Sequence, residues 1–271
     1  MAFKDFSNAV LRQEGVVPTD VYIVDSSSQD DTVELAIAAG FNVQVISVSE
    51  FSHGGTRAML VEQIYADIIV FLTQDAVLAD EHAVKNLISC FQDEIIAAAY
   101  GRQKPNERTS GFGAFARQFN YGDKSFVNVY DDRIPKGIKT AFLSDSFSAY
   151  RRKYLLAIGN FDRNLTYGED TIAAATLLKA GYKTAYCAEA KAYHAHSFTI
   201  AEEFHRYKDT GRFHKQQRWF LDEFGKAEGE GLRFVRSEIL YLIRQGKWYL
   251  VPEAFIRNFA KFAGYKFGMW L

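Results

Sequence analysis

Two acidic residues follow apolar runs at places where a ligand-binding site is expected. Asp75 comes three residues after the run 68–72, and Asp25 directly follows the β-branched run 21–24. If both runs are strands of a parallel sheet, the two carboxylates lie at the edge where open α/β sheets bind their ligands. For Asp25, helix capping is the alternative, because the next residues are rich in Ser and Asp.

Further ionisable residues occur in the C-terminal half. Glu169 and Asp170 are adjacent at the predicted start of a helix, where negative charge is also favourable for structural reasons alone. His194 and His196 follow a predicted strand, and in extended chain their spacing puts both rings on one face. Ordinary hydrogen-bonded histidines are the alternative to a metal site. Imidazole ligands would favour Mn²⁺ over Mg²⁺.

Strands and helices alternate in the first part of the chain. Helices are predicted at 3–11, 32–39 and 56–65, and strands at 21–24, 42–48 and 68–72. Short strands with little polar alternation, separated by helices, are typical of a parallel sheet covered on both faces. The sequence therefore predicts an α/β fold with a doubly wound, mostly parallel sheet.

The second part of the chain is less regular. Residues 101–139 show no clear periodicity, which is typical of functional or mobile segments. A strand followed by a helix is predicted within 140–162. A helix begins within 165–186 and leads to a strand that is predicted to end near 190–197. From 200 the chain is predicted to be helical, with a break between Gly225 and Gly231. We expect a main domain at 1–200 and a helical C-terminal segment at 201–271.

Composition excludes several classes of protein. The 271 residues carry a formal charge of -1, which gives no overall reason to expect nucleic-acid binding. Cys90 and Cys187 lie outside any CxxC pair, which favours a reducing compartment, although a disulfide stays open. No run approaches the roughly 18 apolar residues of a membrane span, and the first residues lack a signal-peptide pattern. The cytoplasm is the expected location.

The C-terminal segment has a charge of its own. Residues 231–271 contain seven Lys and Arg residues against two acids. On a helical wheel, an apolar arc lies opposite Arg257, Asn258 and Lys261, and aromatic residues flank it. The arc and its flanks comprise Phe255, Ile256, Phe259, Phe262, Ala263, Trp248, Tyr249 and Trp270. This pattern predicts peripheral contact with an anionic membrane; packing on the same domain or on a partner subunit is the alternative.

Eight short motifs follow one another along the chain. They read IVDSSSQDDT, EFSHGGTRA, FLTQDA, YGRQKPNE, FLSDSFSAYRR, YGEDTIAAATLLKAGYKTAY, AYHAHS and RYKDTG. As an ordered set, covering about Phe6 to Gly268, they resemble the family-2 glycosyltransferases, and within them the bacterial rhamnosyltransferases of surface-polysaccharide assembly. The resemblance implies a GT-A fold with its nucleotide-sugar-binding and catalytic domain at 1–200, a nucleotide-sugar donor, a divalent cation and an inverting transfer.

The metal site implied by the resemblance is incomplete. The wider family has a DxD motif where this chain reads Thr73-Gln74-Asp75, so Asp75 matches the second acid and the first is absent. A dication, Mg²⁺ or Mn²⁺, held by Asp75 would stabilise the departing diphosphate. We expect His194 and His196 to complete this metal or diphosphate site, and Gln74 to lie beside the donor.

Other residues are assigned to the donor by the same resemblance. Two glycines that open a helix would let backbone N–H groups approach an anion, with the positive charge of Arg57 one turn further on. A plain turn is the alternative. The residues expected near the donor are Asp25, Ser27, His53, Gly54, Arg57 and Asp145, the last also near the acceptor.

Asp170 matches the catalytic base of the family, and Glu169 is its neighbour. A base on the face opposite the leaving group accepts the proton of the acceptor hydroxyl, which produces inversion. Because Asp170 begins a helix, we expect the helix dipole to keep it ionised and therefore a modest base.

One feature departs from the family. Relatives normally open with a strand and loop of the type VIPTYN, whereas this chain starts at the helix that follows. The predicted function is transfer of L-rhamnose from a dTDP-sugar to a saccharide or lipid-linked acceptor, with UDP-sugars left open. A catalytically impaired scaffold lacking the first strand and a metal-dependent phosphohydrolase are the alternatives. We expect a cytoplasmic protein at the inner face of the membrane, with the possibility of a homo-oligomer left open.

Overall fold

The computed structural model describes residues 3–106, 109–194, 196–225 and 228–271. The strands are β1 Tyr22–Asp25, β2 Asn42–Val45, β3 Ile68–Leu72, β4 Val77–Leu78, β5 Ile96–Lys104, β6 Phe126–Asn128, β7 Phe147–Arg151 and β8 Lys183–Tyr193. The helices are α1 Phe3–Leu11, α2 Thr32–Ala38, α3 His53–Gln63, α4 Ala83–Ser89, α5 Gly111–Asn120, α6 Arg133–Lys136, α7 Arg152–Ala157, α8 Glu169–Lys179, α9 Ile200–Gln216, α10 Arg218–Phe224, α11 Glu228–Arg244 and α12 Val251–Trp270.

The strands form two sheets. β1 and β2 pair in parallel as a small sheet, and the other strands form a sheet of order β3-β7-β5-β8-β4, with β6 added on β8. Among the described residues, no strand pairing joins the two sheets. The first parallel pair of strands, β1 and β2, is therefore separate from the main sheet of this α/β fold.

Strand directions in the main sheet bring several chain segments to one edge. β7 is antiparallel to both β3 and β5, and β5 is parallel to β8, so β3, β5 and β8 run in the same direction. The residues that follow β3 and β8 therefore emerge at the same edge. The start of β7 lies there too, because Phe147 is the register partner of Leu72.

Apolar side chains bury both faces of the main sheet. One face carries the large, fully buried rings of Tyr100, Tyr150 and Tyr186, which project from β5, β7 and β8. On the other face, α1 contributes Phe3, Phe6 and the neighbouring Val10. Residues spaced three and four apart lie on one face of a helix, which explains why α1 folds onto this layer. Each such ring contributes roughly 1.5–3 kcal/mol when it is buried.

The C-terminal helices pack closely on one another. A Cβ atom at Gly264 would overlap the carbonyl of Phe204, and one at Gly268 would overlap the carbonyl of Lys208. Glycine is therefore required where α12 crosses α9. None of the described helices is long and apolar enough to cross a bilayer.

Two expectations about the second half of the chain are wrong. Residues 101–139 are not irregular throughout, since they include the end of β5 and all of α5, β6 and α6. The glycine-rich break is narrower than expected: Gly225 ends α10 with a positive φ of 93°, whereas Gly229 and Gly231 lie within α11. A further break, at 245–250, separates α11 from α12.

Candidate active site

Asp75, His194 and His196 converge at the edge where β3 and β8 end. The Nε2 atoms of His194 and His196 lie 3.3 and 3.1 Å from Oδ2 of Asp75, and 3.0 Å from each other. Thr73 donates a hydrogen bond of 2.7 Å to Oδ1 of Asp75, which fixes the rotation of the carboxylate. Asp75 is exposed and His194 is buried, so solvent reaches the group from the side of Asp75.

Gln103 determines which nitrogen of His194 carries a proton. Its amide nitrogen donates to the hydroxyl of Ser144 at 2.9 Å, so its amide oxygen faces Nδ1 of His194, also at 2.9 Å. Nδ1 must then be the protonated nitrogen, which leaves a lone pair on Nε2. Burial lowers the pKa of His194, which keeps the ring neutral near pH 7. The lone pair is directed toward Asp75 and His196.

The three converging atoms fit a divalent cation. Separations of 3.0–3.3 Å between ligand atoms correspond to perpendicular bonds of about 2.2 Å, which is close to octahedral coordination of a small dication. A donor set of one carboxylate and two imidazoles suits Mn²⁺ better than Mg²⁺.

A second cluster gathers three carboxylates around one guanidinium. Arg57 forms ion pairs with Glu169 and, through Nε at 3.3 Å, with Asp145. Asp145 is buried, and its Oδ1 accepts hydrogen bonds from Ser148 at 2.6 Å and Tyr150 at 2.7 Å. Asp145 therefore holds the cluster together from inside and is not exposed to a ligand.

Asp170 is the carboxylate of this cluster that Arg57 does not bind directly. Oδ2 accepts the backbone N–H of Asp145 at 3.3 Å, and Oδ1 accepts the N–H of Thr171 at 2.7 Å. Burial, followed by the negative charge of Asp145, raises its pKa to about 6. Burial and the charge of Asp170 likewise raise the pKa of Glu169. The expected effect of the helix dipole on Asp170 is thus outweighed, and the result is a stronger base.

The segment 144–146 connects the two clusters. Ser144 accepts the bond from Gln103, the N–H of Asp145 binds Asp170, and the carbonyl of Ser146 accepts the N–H of Thr73 at 3.3 Å. Thr73 and Asp75 belong to one loop. The histidine–aspartate group and the carboxylate cluster therefore border the same three residues at one edge of the sheet.

The expected binding of an anion by the backbone of the Gly-Gly pair is wrong. Ser52 caps α3, and its hydroxyl accepts the N–H of Gly55 at 3.0 Å. The N–H of Gly54 donates to the carbonyl of Leu165 at 3.1 Å. Both donors are occupied, and Gly54 is required because a Cβ there would overlap the carbonyl of Asp162.

Other expected donor residues are engaged in local contacts or exposed. The Asp25 carboxylate accepts the N–H of Ser28 at 2.8 Å, and the Ser27 hydroxyl donates to the Ile46 carbonyl at 2.8 Å. Both belong to the region of the small sheet, and a common crevice of Asp25 and Asp75 stays a prediction. His53 is exposed beside the ring of Phe51, and Gln74 is exposed next to Asp75.

Sequence reasoning missed Gln103 and Arg117. Arg117 lies on α5 with its guanidinium 5.8 Å from the centre of the Tyr121 ring. Burial lowers its pKa, an effect that Tyr121 and the carboxylate of Asp75 partly offset, so the guanidinium charge acts on Asp75 electrostatically. The signal for α5 is the spacing of its aromatic residues, Phe112, Phe115 and Phe119.

The fold and these two clusters together define a glycosyltransferase of the GT-A type. The chain belongs to the glycosyltransferase-like family 2, whose model matches residues 7–220. It is 44% identical over 261 residues to the O-antigen chain rhamnosyltransferase RfbN of Salmonella typhimurium, covering 95% of this chain and 82% of that protein. Identity to the O-antigen chain rhamnosyltransferase WbaN of Salmonella anatum is 45% over 252 residues, covering 93% of this chain and 80% of that protein.

A solved structure has the same fold. The mannosyltransferase PcManGT from Pyrobaculum calidifontis, in complex with GDP-Man and Mn²⁺, superposes with a TM-score of 0.66 at 13% identity, covering 99% of this chain and 83% of that chain. At this identity the likeness concerns the fold alone. The predicted family and the GT-A architecture are confirmed.

Proposed function

We propose that this chain transfers L-rhamnose from dTDP-rhamnose to a saccharide or lipid-linked acceptor during O-antigen assembly, with inversion at the anomeric carbon. Relatives that are 44 and 45% identical and named as O-antigen chain rhamnosyltransferases support the sugar and the pathway. The observation that carries the chemistry is the segment 144–146, which borders both Asp170 and the Asp75 group.

Asp75, His194 and His196 are proposed to hold a divalent cation on the side of the departing diphosphate. A cation bound there would neutralise the negative charge that develops on the leaving group. Gln103 keeps the Nε2 lone pair of His194 available, and Arg117 adds a positive charge nearby. These residues thereby favour cleavage of the bond between the anomeric carbon and the phosphate oxygen.

Asp170 is proposed to act as the base. It accepts the proton of the acceptor hydroxyl while the hydroxyl oxygen bonds to the anomeric carbon on the face opposite the diphosphate. A pKa of about 6 keeps most of the carboxylate ionised at pH 7, yet makes it a stronger acceptor than an ordinary aspartate. Glu169 and Arg57 are proposed to position Asp170 and to set its charge.

The proposed location is the cytoplasm, at the inner face of the membrane. Nucleotide-sugars with a dTDP moiety are proposed as donors, and the site near Asp25 and Ser27 is proposed to contact the nucleoside. The alternative is a catalytically impaired scaffold protein, and the following experiment distinguishes it from an active transferase.

Thermal-shift titration and a transfer assay test the proposal together. We expect dTDP with Mn²⁺ to raise the melting temperature more than UDP or GDP, and Asp75→Ala to abolish the effect of the metal. Release of dTDP from dTDP-rhamnose in the presence of an O-antigen fragment should match the appearance of a rhamnosylated product. Nucleotide binding without any transfer would instead support a scaffold, and release of free phosphate would support a phosphohydrolase.

A further inference from the structure

Helix α12 carries its apolar residues on the outside. The exposed side chains form one stripe along the helix, which contains a single charged residue, Lys266. Phe259 and Trp270 are 70% and 75% exposed, more than is usual for rings of this size in a folded domain. The stripe consists of Phe255, Ile256, Phe259, Phe262, Phe267, Trp270 and Leu271.

The polar side of α12 is turned inward. Arg257 is largely buried, with ion pairs to Glu253 at 2.7 Å and to Glu203 at 3.4 Å. Lys261 lies 3.5 Å from Glu203, and Asn258 donates to Glu238 at 2.6 Å. This is the reverse of a surface helix in a soluble domain, which buries its apolar face and exposes its charges.

The orientation of α12 is fixed by the backbone. Gly264 and Gly268 lie against the carbonyls of Phe204 and Lys208 in α9, so rotation that buried the aromatic stripe would replace glycine with a larger residue at each contact. An open apolar groove of about 660 Å³ runs between α9 and α12 and is lined by Phe204, Ile256 and Phe259 among others. The apolar surface is thus continuous with this groove and stays outside.

The exposed and unpaired charges of the C-terminal segment are cationic. Within residues 231–271, all of which the structure describes, Arg236, Arg244 and Lys266 are exposed. Of the two acids there, Glu238 is buried and Glu253 is paired with Arg257. An apolar stripe on a segment with an excess of positive charge is complementary to a bilayer that contains anionic lipids. A second copy of the chain would bring like charges to the same contact, with no exposed, unpaired acid in this segment to balance them.

We propose that the outer stripe of α12 is a membrane-docking surface, on which the helix lies flat in the headgroup region of an anionic bilayer. A helix of 20 residues extends for about 30 Å, and the charged residues of its inner side prevent it from spanning. The exposed Trp248 and Tyr249 of the adjoining turn have amphipathic rings of the type that favours the interface. Docking would bring the active site to a lipid-linked acceptor. That consequence rests on the proposed function, whereas the docking itself is independent of it.

Vesicle flotation of the full chain tests the docking. We expect binding to vesicles of phosphatidylcholine with about a third phosphatidylglycerol, weaker binding to phosphatidylcholine alone, and loss of the difference in high salt. The double substitution Phe259→Ser with Phe262→Ser should weaken binding by about tenfold or more. A matched control is Tyr65→Ser with Ile134→Ser, which removes residues that are 89% and 79% exposed on other elements and should leave binding unchanged.

Three results would overturn the proposal. They are wild-type protein that stays unbound, a stripe variant that binds like the wild type, and light scattering that detects a dimer dependent on Phe259. Equal melting temperatures of the two double variants establish that the fold is intact. Transfer to a water-soluble acceptor fragment, measured without vesicles, should be the same in both variants, so failure of docking is distinguished from failure of the proposed function.

Discussion

The backbone N–H of Asp145 donates a hydrogen bond to Oδ2 of Asp170 over 3.3 Å. Because Asp145 is itself buried and fixed by Ser148 and Tyr150, this bond holds Asp170 in place relative to the sheet. The preceding residue, Ser144, binds Gln103, which orients His194. A single rigid segment thus positions the proposed base and one proposed metal ligand.

The pH dependence of transfer should follow Asp170. Its pKa is raised to about 6, so the carboxyl is protonated below that pH and cannot accept a proton from the acceptor. We expect kcat/KM to fall about tenfold per pH unit below 6 and to be level above it, up to pH 8. Circular dichroism at pH 5 checks that the fold persists. A rate that stays constant down to pH 5 would contradict the assignment.

Gln103→Leu should weaken metal binding without unfolding the protein. Loss of the amide leaves His194 free to change tautomer and orientation, and removal of such an outer hydrogen bond typically lowers metal affinity by about 10–100-fold. Isothermal titration with Mn²⁺ measures the change. Gln118→Leu, on the exposed side of α5, is the matched control and should bind Mn²⁺ like the wild type. Equal affinities in both variants would exclude a positioning role for Gln103.

Arg57→Leu should destabilise the fold by about 3–5 kcal/mol, because buried carboxylates lose their counter-charge. Glu169 and Asp170 already have raised pKa values, so their ionisation opposes folding, and stability falls as pH rises through those values. Without Arg57 the loss should be larger at pH 8 than at pH 5. Urea denaturation at both pH values measures it.

Arg163→Leu provides the comparison for Arg57. Arg163 pairs with Glu62 at 2.6 Å, but both side chains are about half exposed, so its removal should cost less than about 1 kcal/mol. If the two arginine variants lost equal free energy of unfolding, Arg57 would not stabilise the fold as the counter-charge of the buried carboxylates.

Gly268→Ala should destabilise the contact between α9 and α12 by about 1–3 kcal/mol, since the added methyl overlaps the carbonyl of Lys208. Gly231→Ala makes the same change inside α11, where nothing lies within 4 Å of the new atom. There the substitution should be neutral or stabilise the protein by up to about 1 kcal/mol. Thermal unfolding compares the two, and similar melting temperatures would contradict the close packing of the helices.

The sequence predicted the strands that lead to Asp75, His194 and His196. The run ahead of Asp75 is a buried strand, β3 Ile68–Leu72, with the predicted limits, because a continuous apolar run flanked by polar residues has few other solutions. A strand ending near His194 and His196 is also predicted, and β8 ends at Tyr193. The contact between these histidines and Asp75 depends on strand order, and the family resemblance, rather than the pattern alone, connected them.

Features decided by distant contacts were not predictable. The wheel of α12 correctly separated an apolar arc from Arg257 and Lys261, but buried acids on α9 and α11 decide which side faces inward. The N–H of Gly54 is occupied by Leu165, over a hundred residues away in sequence. Likewise, α5 has a recognisable aromatic spacing, but its two glycines weaken the helical pattern.

The central claim is that Asp75 and Asp170 serve one anomeric carbon from opposite sides. Its most direct test measures Mn²⁺-dependent dTDP binding and rhamnosyl transfer in Asp75→Ala and Asp170→Asn, with the configuration of the product determined by NMR. We predict that Asp75→Ala loses both activities, that Asp170→Asn keeps binding but loses at least about a hundredfold in transfer, and that the wild-type product is inverted. Transfer by Asp170→Asn at the wild-type rate, or a product of retained configuration, would contradict the claim.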